Sequence, residues 1–193
     1  MAGRTRGLFG GTFDPPHLGH VAAARAAVEA LRLDELVVTV ARDPQRKGAP
    51  PLASPEQRDE MARAAFEGVD RVVVSDLELR RAGPTYTVDT VESLLDERPG
   101  DALTLVLGAD AAAALGSWHR ADELARLVDV AVVPRPGTPI AVPQGFSVRI
   151  VPMAPVDLSS SAVRAALAAG EDPAEMVPPG VVRILLTHPL YAP

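Results

Sequence analysis

The chain has 193 residues with 19 Lys+Arg against 25 Asp+Glu, a formal net charge of −6, and is 47% hydrophobic, 23% charged and 4% aromatic. This composition excludes disordered, collagen-like and disulfide-scaffold classes, and the acidic balance argues against a dedicated nucleic-acid binder. The absence of cysteine rules out disulfides, thiolate nucleophiles and Cys-ligated metal sites, and no apolar run approaches the length of a membrane span or signal core, so a cytoplasmic protein without membrane attachment is expected.

In chain order, residues 6–9 are strand-like and end in Gly10-Gly11, after which Asp14-Pro15-Pro16 can cap and open an alanine-rich helix from His17 to about Leu31. The β-branched run 36–41 predicts a strand covered on both faces of a parallel sheet. Residues 42–52, with Pro44, Gly48, Pro50 and Pro51 among Arg42, Arg46 and Lys47, form a loop too long for a plain connector. Ser54-Pro55-Glu56-Gln57 is a capping box that opens a helix to about Phe66, and 71–74 returns as a strand.

Apolar spacing over 87–97 predicts a helix stopped by Pro99-Gly100; the strand 103–107 follows, and Gly108-Ala109-Asp110 turns into another helix. A short helix over 122–127, a strand over 130–133, the turn Arg135-Pro136-Gly137, a last strand over 148–151 and helices over 159–169 and 178–186 complete the chain. Strands alternating with helices across short turns predict an α/β protein with a parallel sheet, whose ligands sit at the carboxyl ends of strands where the strand order reverses.

The sharpest chemical signal is Gly10-Gly11-Thr12-Phe13-Asp14-Pro15-Pro16-His17-Leu18-Gly19-His20, a glycine loop delivering two histidines onto a helix start. Glycines let a bulky anion approach the backbone, and the free N–H groups and dipole of the helix start stabilise negative charge. His17 and His20, three residues apart, share a helix face, with Gly19 leaving room between them. A metal site would need further ligands, and only His119 and His188 remain. Phosphate is therefore the expected guest, yet the loop is neither a Walker P-loop nor a G-x-G-x-x-G turn, so neither a P-loop ATPase nor a dehydrogenase is indicated.

His17-Leu18-Gly19-His20 resembles the T/H-x-G-H motif of the nucleotidylyltransferase superfamily, and Leu158-Ser159-Ser160-Ser161-Ala162-Val163-Arg164 resembles that family's I-S-S-T-x-I-R helix start, with Ser161 where Thr is usual. Gly83-Pro84-Thr85-Tyr86-Thr87-Val88-Asp89-Thr90 resembles the G-P-T/S-Y-T-x-x-T segment of the nicotinate-nucleotide adenylyltransferases. The resemblance implies a Rossmann-like, doubly wound parallel sheet of nucleotidylyltransferase type over 1–193, with a helical part from about 159 completing the site. It implies adenylyl transfer from ATP to nicotinate mononucleotide, with Mg²⁺ bridging phosphate oxygens. Nicotinamide mononucleotide and phosphopantetheine are the nearest alternative acceptors. A nucleotide-binding sensor and a partner-binding domain are the non-enzyme alternatives, and homo-oligomerisation is left open.

Carried onto this chain, the resemblance makes His17, His20 and Arg164 catalytic and gives ATP a site of Gly10, Gly11, Thr12, Phe13, Gly19, Lys47, Gly108, Asp110, Ser160 and Ser161 together with those three. Asp14, Thr85, Tyr86, Thr87, Trp118 and Arg135 fall to the acceptor, Trp118 matching the tryptophan that stacks on the pyridine ring. Asp110 matches the G-x-D turn facing the ATP ribose, and Arg135 the R-P-G turn. No dedicated protein metal cage is expected.

Overall fold

The computed structural model describes residues 3–44, 50–140, 144–188, 190 and 191. Among them, β1 (Thr5–Gly11), β2 (Glu35–Val40), β3 (Val72–Ser75), β4 (Ala102–Gly108), β5 (Asp129–Val133) and β6 (Val148–Ile150) form one sheet in the order β3-β2-β1-β4-β5-β6. Every pairing is parallel. The helices are α1 (Leu18–Ala30), α2 (Pro55–Phe66), α3 (Leu77–Arg80), α4 (Thr87–Glu97), α5 (Ala109–Ala114), α6 (Ala121–Leu127), α7 (Ser160–Ala168) and α8 (Pro179–Thr187).

Side chains alternate across the pleat, so each of the central strands β1, β2, β4 and β5 feeds two cores. Phe9, Val38, Val40, Val106, Ala131 and Val133 pack with residues of α1, α2 and α8, including Ala24, Ala27, Met61 and Val181. Leu8, Val37, Leu105, Leu107, Val130 and Val132 pack on the other face with Val88, Val91, Leu94 and Leu124 from α4 and α6. Strands buried on both faces explain the continuous apolar runs in the sequence.

The strand order reverses between β1 and β4, which places Gly10 beside Thr39 and Gly108 beside Val133 along one carboxyl edge. That edge is the crevice where open parallel sheets bind ligands.

One local expectation is corrected. The cap of α1 is His17, with extended φ −135 and ψ 170, and Asp14 lies three residues before it with its carboxylate engaged elsewhere. At α5, Gly108 is the cap and Asp110 lies inside the first turn. Helix α3 was not anticipated, because four residues are too few to show a helical period.

Candidate active site

At the end of β1 the backbone turns through Phe13, whose φ of 50 is left-handed and uncommon for a residue with a side chain. The conformation buries the Phe13 ring edge-on against Phe9, Phe66 and His20, at centroid distances of 5.8, 5.9 and 5.0 Å. A Cβ on Gly11 would lie 2.7 Å from that ring, and one on Gly19 would lie 2.9 Å from Nδ1 of His17. Both glycines therefore make room for an aromatic ring of the site, in addition to any approach they allow a ligand.

The rings of His17 and His20 stack, centroids 3.8 Å apart and tilted by 30°. Nδ1 of His20 accepts the backbone N–H of His17 at 3.1 Å, so a neutral His20 carries its proton on Nε2. Burial pushes His17 down to about 4, and the Arg135 charge adds to it; burial also drives His20 well below its ordinary value, with the His17 and Arg135 charges acting in the same sense. Both imidazoles are thus neutral near pH 7 and each keeps one N–H donor. Nδ1 of His17 is buried with no hydrogen-bond partner among the described residues, which is costly unless a ligand meets it.

Arg135 donates to the Asp110 carboxylate at 3.0 Å, and Thr138 Oγ1 donates to the same group at 3.4 Å. Among the described residues, apart from its own chain neighbours, no atom lies within 4 Å of a Cβ built on Gly108, so the edge beside this pair is open.

Helix α7 closes the other side. Ser159 caps it by accepting from the N–H of Ala162 at 3.1 Å, while Ser160 Oγ donates to the carbonyl of Pro15 at 2.9 Å. Arg164 donates to the carbonyl of Asp14 at 2.7 Å and to Ser161 Oγ at 3.3 Å.

Beneath the loop lies a buried polar hub. The Asp14 carboxylate accepts from the N–H groups of Leu52 and Ala53 at 2.9 and 3.1 Å and from the Tyr191 hydroxyl at 2.7 Å. Arg58, 1% exposed, donates to the carbonyls of Thr12, Ala41, Ala53 and Arg42. These bonds hold the ends of β1 and β2 and the start of α2 as a unit.

A second cluster surrounds the start of α4. Its cap residue Tyr86 supplies no side-chain cap, and Thr85 Oγ1 is buried with no partner among the described residues. The Tyr86 ring stacks on His119, centroids 4.2 Å apart. Arg120, itself left-handed at φ 53, grips Asp89, Glu92 and Glu123 at 3.1, 2.6 and 2.7 Å and so fastens the segment carrying Trp118 and His119 to α4.

A cytidylyltransferase-like family model matches residues 8–166. A probable nicotinate-nucleotide adenylyltransferase of Bordetella petrii is 39% identical, covering 96% of this chain and 97% of its own. Another, from Shouchella clausii, is 38% identical over 96% and 95%. The chain belongs to the nicotinate-nucleotide adenylyltransferase family. The solved structure of a Plasmodium falciparum nicotinic acid mononucleotide adenylyltransferase complexed with NaAD shares the fold at a TM-score of 0.83, with 18% identity and 97% of each chain covered.

Of the residues that resemblance to this family singled out, the structure brings together Gly10, Gly11, Thr12, Phe13, His17, Gly19, His20, Ser160, Ser161 and Arg164 around the loop, with Arg135 and Asp110 alongside. Thr85, Tyr86 and Thr87 gather at the start of α4, and Trp118, half-buried, packs on the core beneath it. Asp14 belongs to the hub: both oxygens of its carboxylate are taken by protein donors. Lys47 lies outside the described residues.

The sequence reading missed Arg58, Arg120 and Tyr191. For Arg58 a signal exists: it occupies the buried stripe of α2 with Met61, Ala62 and Ala65, where a cation needs partners. Among the described residues no cluster of His, Cys, Asp or Glu could hold a metal ion, and no helix is long and apolar enough to cross a membrane.

Proposed function

We propose that the protein transfers the adenylyl group of ATP to nicotinate mononucleotide, giving nicotinate adenine dinucleotide and pyrophosphate in NAD biosynthesis. The observation that carries the chemistry is the pair of neutral, stacked imidazoles at the helix start, with Arg135 close enough to depress their basicity and Arg164 docked on the same loop.

The acceptor's own phosphate oxygen attacks the α-phosphorus in line. The new P–O bond forms as the bond to the bridging oxygen of pyrophosphate breaks, and that oxygen leaves with its electron pair. No protein nucleophile is needed, so catalysis reduces to positioning and to charge stabilisation at the phosphates. His17 and His20 donate to phosphate oxygens through their ring N–H groups. Arg164, with the hydroxyls of Ser160 and Ser161, meets the triphosphate from α7. The backbone of Gly10, Gly11, Thr12 and Phe13 lines the ATP side with Gly19, Gly108 and Asp110, and Lys47 belongs to that side by its place in the sequence.

Magnesium enters with ATP as part of the substrate, carried on phosphate oxygens. The chain's nearby carboxylates are committed, Asp14 to the hub and Asp110 to Arg135.

For the acceptor, the uncapped start of α4 offers backbone N–H groups at the positive end of a helix, next to the unpartnered hydroxyl of Thr85. A nicotinate carboxylate satisfies both; an amide brings no charge and adds donors that face donors. Tyr86, Thr87 and Trp118 frame the ring, and Arg135 is assigned to the acceptor only by its match to the R-P-G turn, its ion pair being with Asp110. The unit works as one domain in the cytoplasm.

The test is pyrophosphate release from MgATP with nicotinate mononucleotide, nicotinamide mononucleotide and phosphopantetheine in parallel. Release with the nicotinate substrate at least tenfold faster than with the others supports the reading. Preference for another acceptor overturns the substrate, and ATP binding without release overturns the activity in favour of a sensor.

A further inference from the structure

One buried carboxylate has no part in the mechanism. Glu78, 6% exposed on the short helix α3, accepts through Oε1 from Thr39 Oγ1 at 3.0 Å and from Thr90 Oγ1 at 3.1 Å, and both threonines are fully buried. Thr39 sits near the carboxyl end of β2, paired in register with Gly10 of the glycine loop, and its hydroxyl lies 3.5 Å from where a Gly10 Cβ would be. Thr90 lies in the first turn of α4, where its N–H bonds the Tyr86 carbonyl. From the same segment as Glu78, Arg81 donates to Thr90 Oγ1, to the Asp89 carbonyl and to Ser93 Oγ at 3.2, 3.1 and 2.9 Å. The chain then loops out through 82–86 and returns to α4, so Arg81 staples the base of the loop that carries Thr85 and Tyr86.

We propose that Glu78 is a positioning residue for the acceptor nucleotide: by tying Thr90 to Thr39 it fixes the start of α4 relative to the glycine loop. The inference rests on the reading of that helix start as the acceptor's pocket. Its physical basis is directionality. Packing alone is served as well by an apolar side chain of similar volume, because a buried carboxylate carries a desolvation penalty that its partners only offset. Two hydroxyl bonds to one oxygen, in contrast, hold two elements at a set distance. The acceptor sits at the start of α4, so releasing that start weakens acceptor binding, while the ATP side keeps its own supports in the glycine loop and α7.

The experiment compares Glu78→Met, which keeps volume and removes the acceptor, with Glu78→Gln, which retains an acceptor oxygen, and Thr90→Val, which cuts the tie from the other end. Expected for Glu78→Met and Thr90→Val is a rise of about tenfold or more in KM for nicotinate mononucleotide, with KM for ATP within about twofold of wild type. Glu78→Gln should restore most of the acceptor affinity. Amide hydrogen exchange across 82–87, read without substrate, should accelerate in Glu78→Met and Thr90→Val but not in Glu78→Gln. Equal shifts in both KM values, an unchanged acceptor KM, or unchanged exchange over 82–87 overturns the proposal. If Glu78→Met does not fold, Thr90→Val and Glu78→Gln decide on the same criteria. A wild type that fails to turn over nicotinate mononucleotide sinks the functional reading instead, and the exchange data still judge Glu78.

Discussion

Arg164 reaches back across 150 positions of sequence to donate to the carbonyl of Asp14 at 2.7 Å, docking α7 on the glycine loop. The contact brings the C-terminal hydroxyls and cation to the histidines, and it makes Arg164 both a tether and a charge. Arg164→Ala should lower kcat/KM for pyrophosphate release by about 10²-fold or more, the scale of losing one stabilising donor at a developing charge. Arg164→Lys should recover only part, since a point charge cannot serve Asp14 and Ser161 as the guanidinium fork does. Activity within threefold of wild type in the alanine variant removes Arg164 from the mechanism.

Histidine burial predicts a pH dependence of stability. His17 falls from its ordinary 6.5 to about 4 when folded, mainly by burial. A depressed histidine contributes stability that is fully present above 6.5 and is lost as pH falls toward 4, because the unfolded chain binds the proton first. The shift corresponds to roughly 3 kcal/mol at full development, and His20 acts in the same direction. Thermal melts between pH 8 and 4 should show Tm falling below about pH 6.5, more steeply in wild type than in His17→Ala. Parallel slopes in the two proteins contradict the assignment.

The Asp14 hub predicts structural sensitivity. Asparagine there offers one acceptor oxygen where three donors converge, and its amide N–H groups face a donor, so Asp14→Asn should destabilise by about 2–4 kcal/mol. Tyr191→Phe removes one bond to a charged acceptor and should cost about 1.5–3 kcal/mol. Denaturant melts check both, and near-neutral values mean the hub is not what holds the loop.

Arg58→Met should be as severe, about 3–5 kcal/mol, since it strands four carbonyls that the guanidinium now satisfies. A folded variant of wild-type stability excludes the strand-end role assigned to Arg58.

Much of the fold was legible because strands buried on both faces leave unbroken apolar runs, and because capping chemistry marks helix starts: Ser54 and Gln57 form the expected reciprocal box. The histidine loop and the Ser159–Arg164 helix start were legible as motifs. What escaped depends on contacts between residues far apart in sequence. Nothing local says that Asp14 bonds Tyr191, that Arg58 lies buried, or that Glu78 joins Thr39 to Thr90, since each arises only when three or four segments meet at one sheet edge. The cap of α1 was misplaced because Asp14-Pro15-Pro16 carries the usual start signals, while the backbone bends at Asp14 and Pro15 and turns helical only after His17.

The most direct test of the account is a single-turnover reaction of the enzyme with α-³²P-labelled MgATP and nicotinate mononucleotide, in wild type and His20→Ala. The account predicts that wild type places the label in nicotinate adenine dinucleotide, in equal amount to the pyrophosphate released, and that the variant does so about 10²-fold more slowly or worse. Label left in AMP or ADP, or a His20→Ala enzyme as fast as wild type, would contradict it.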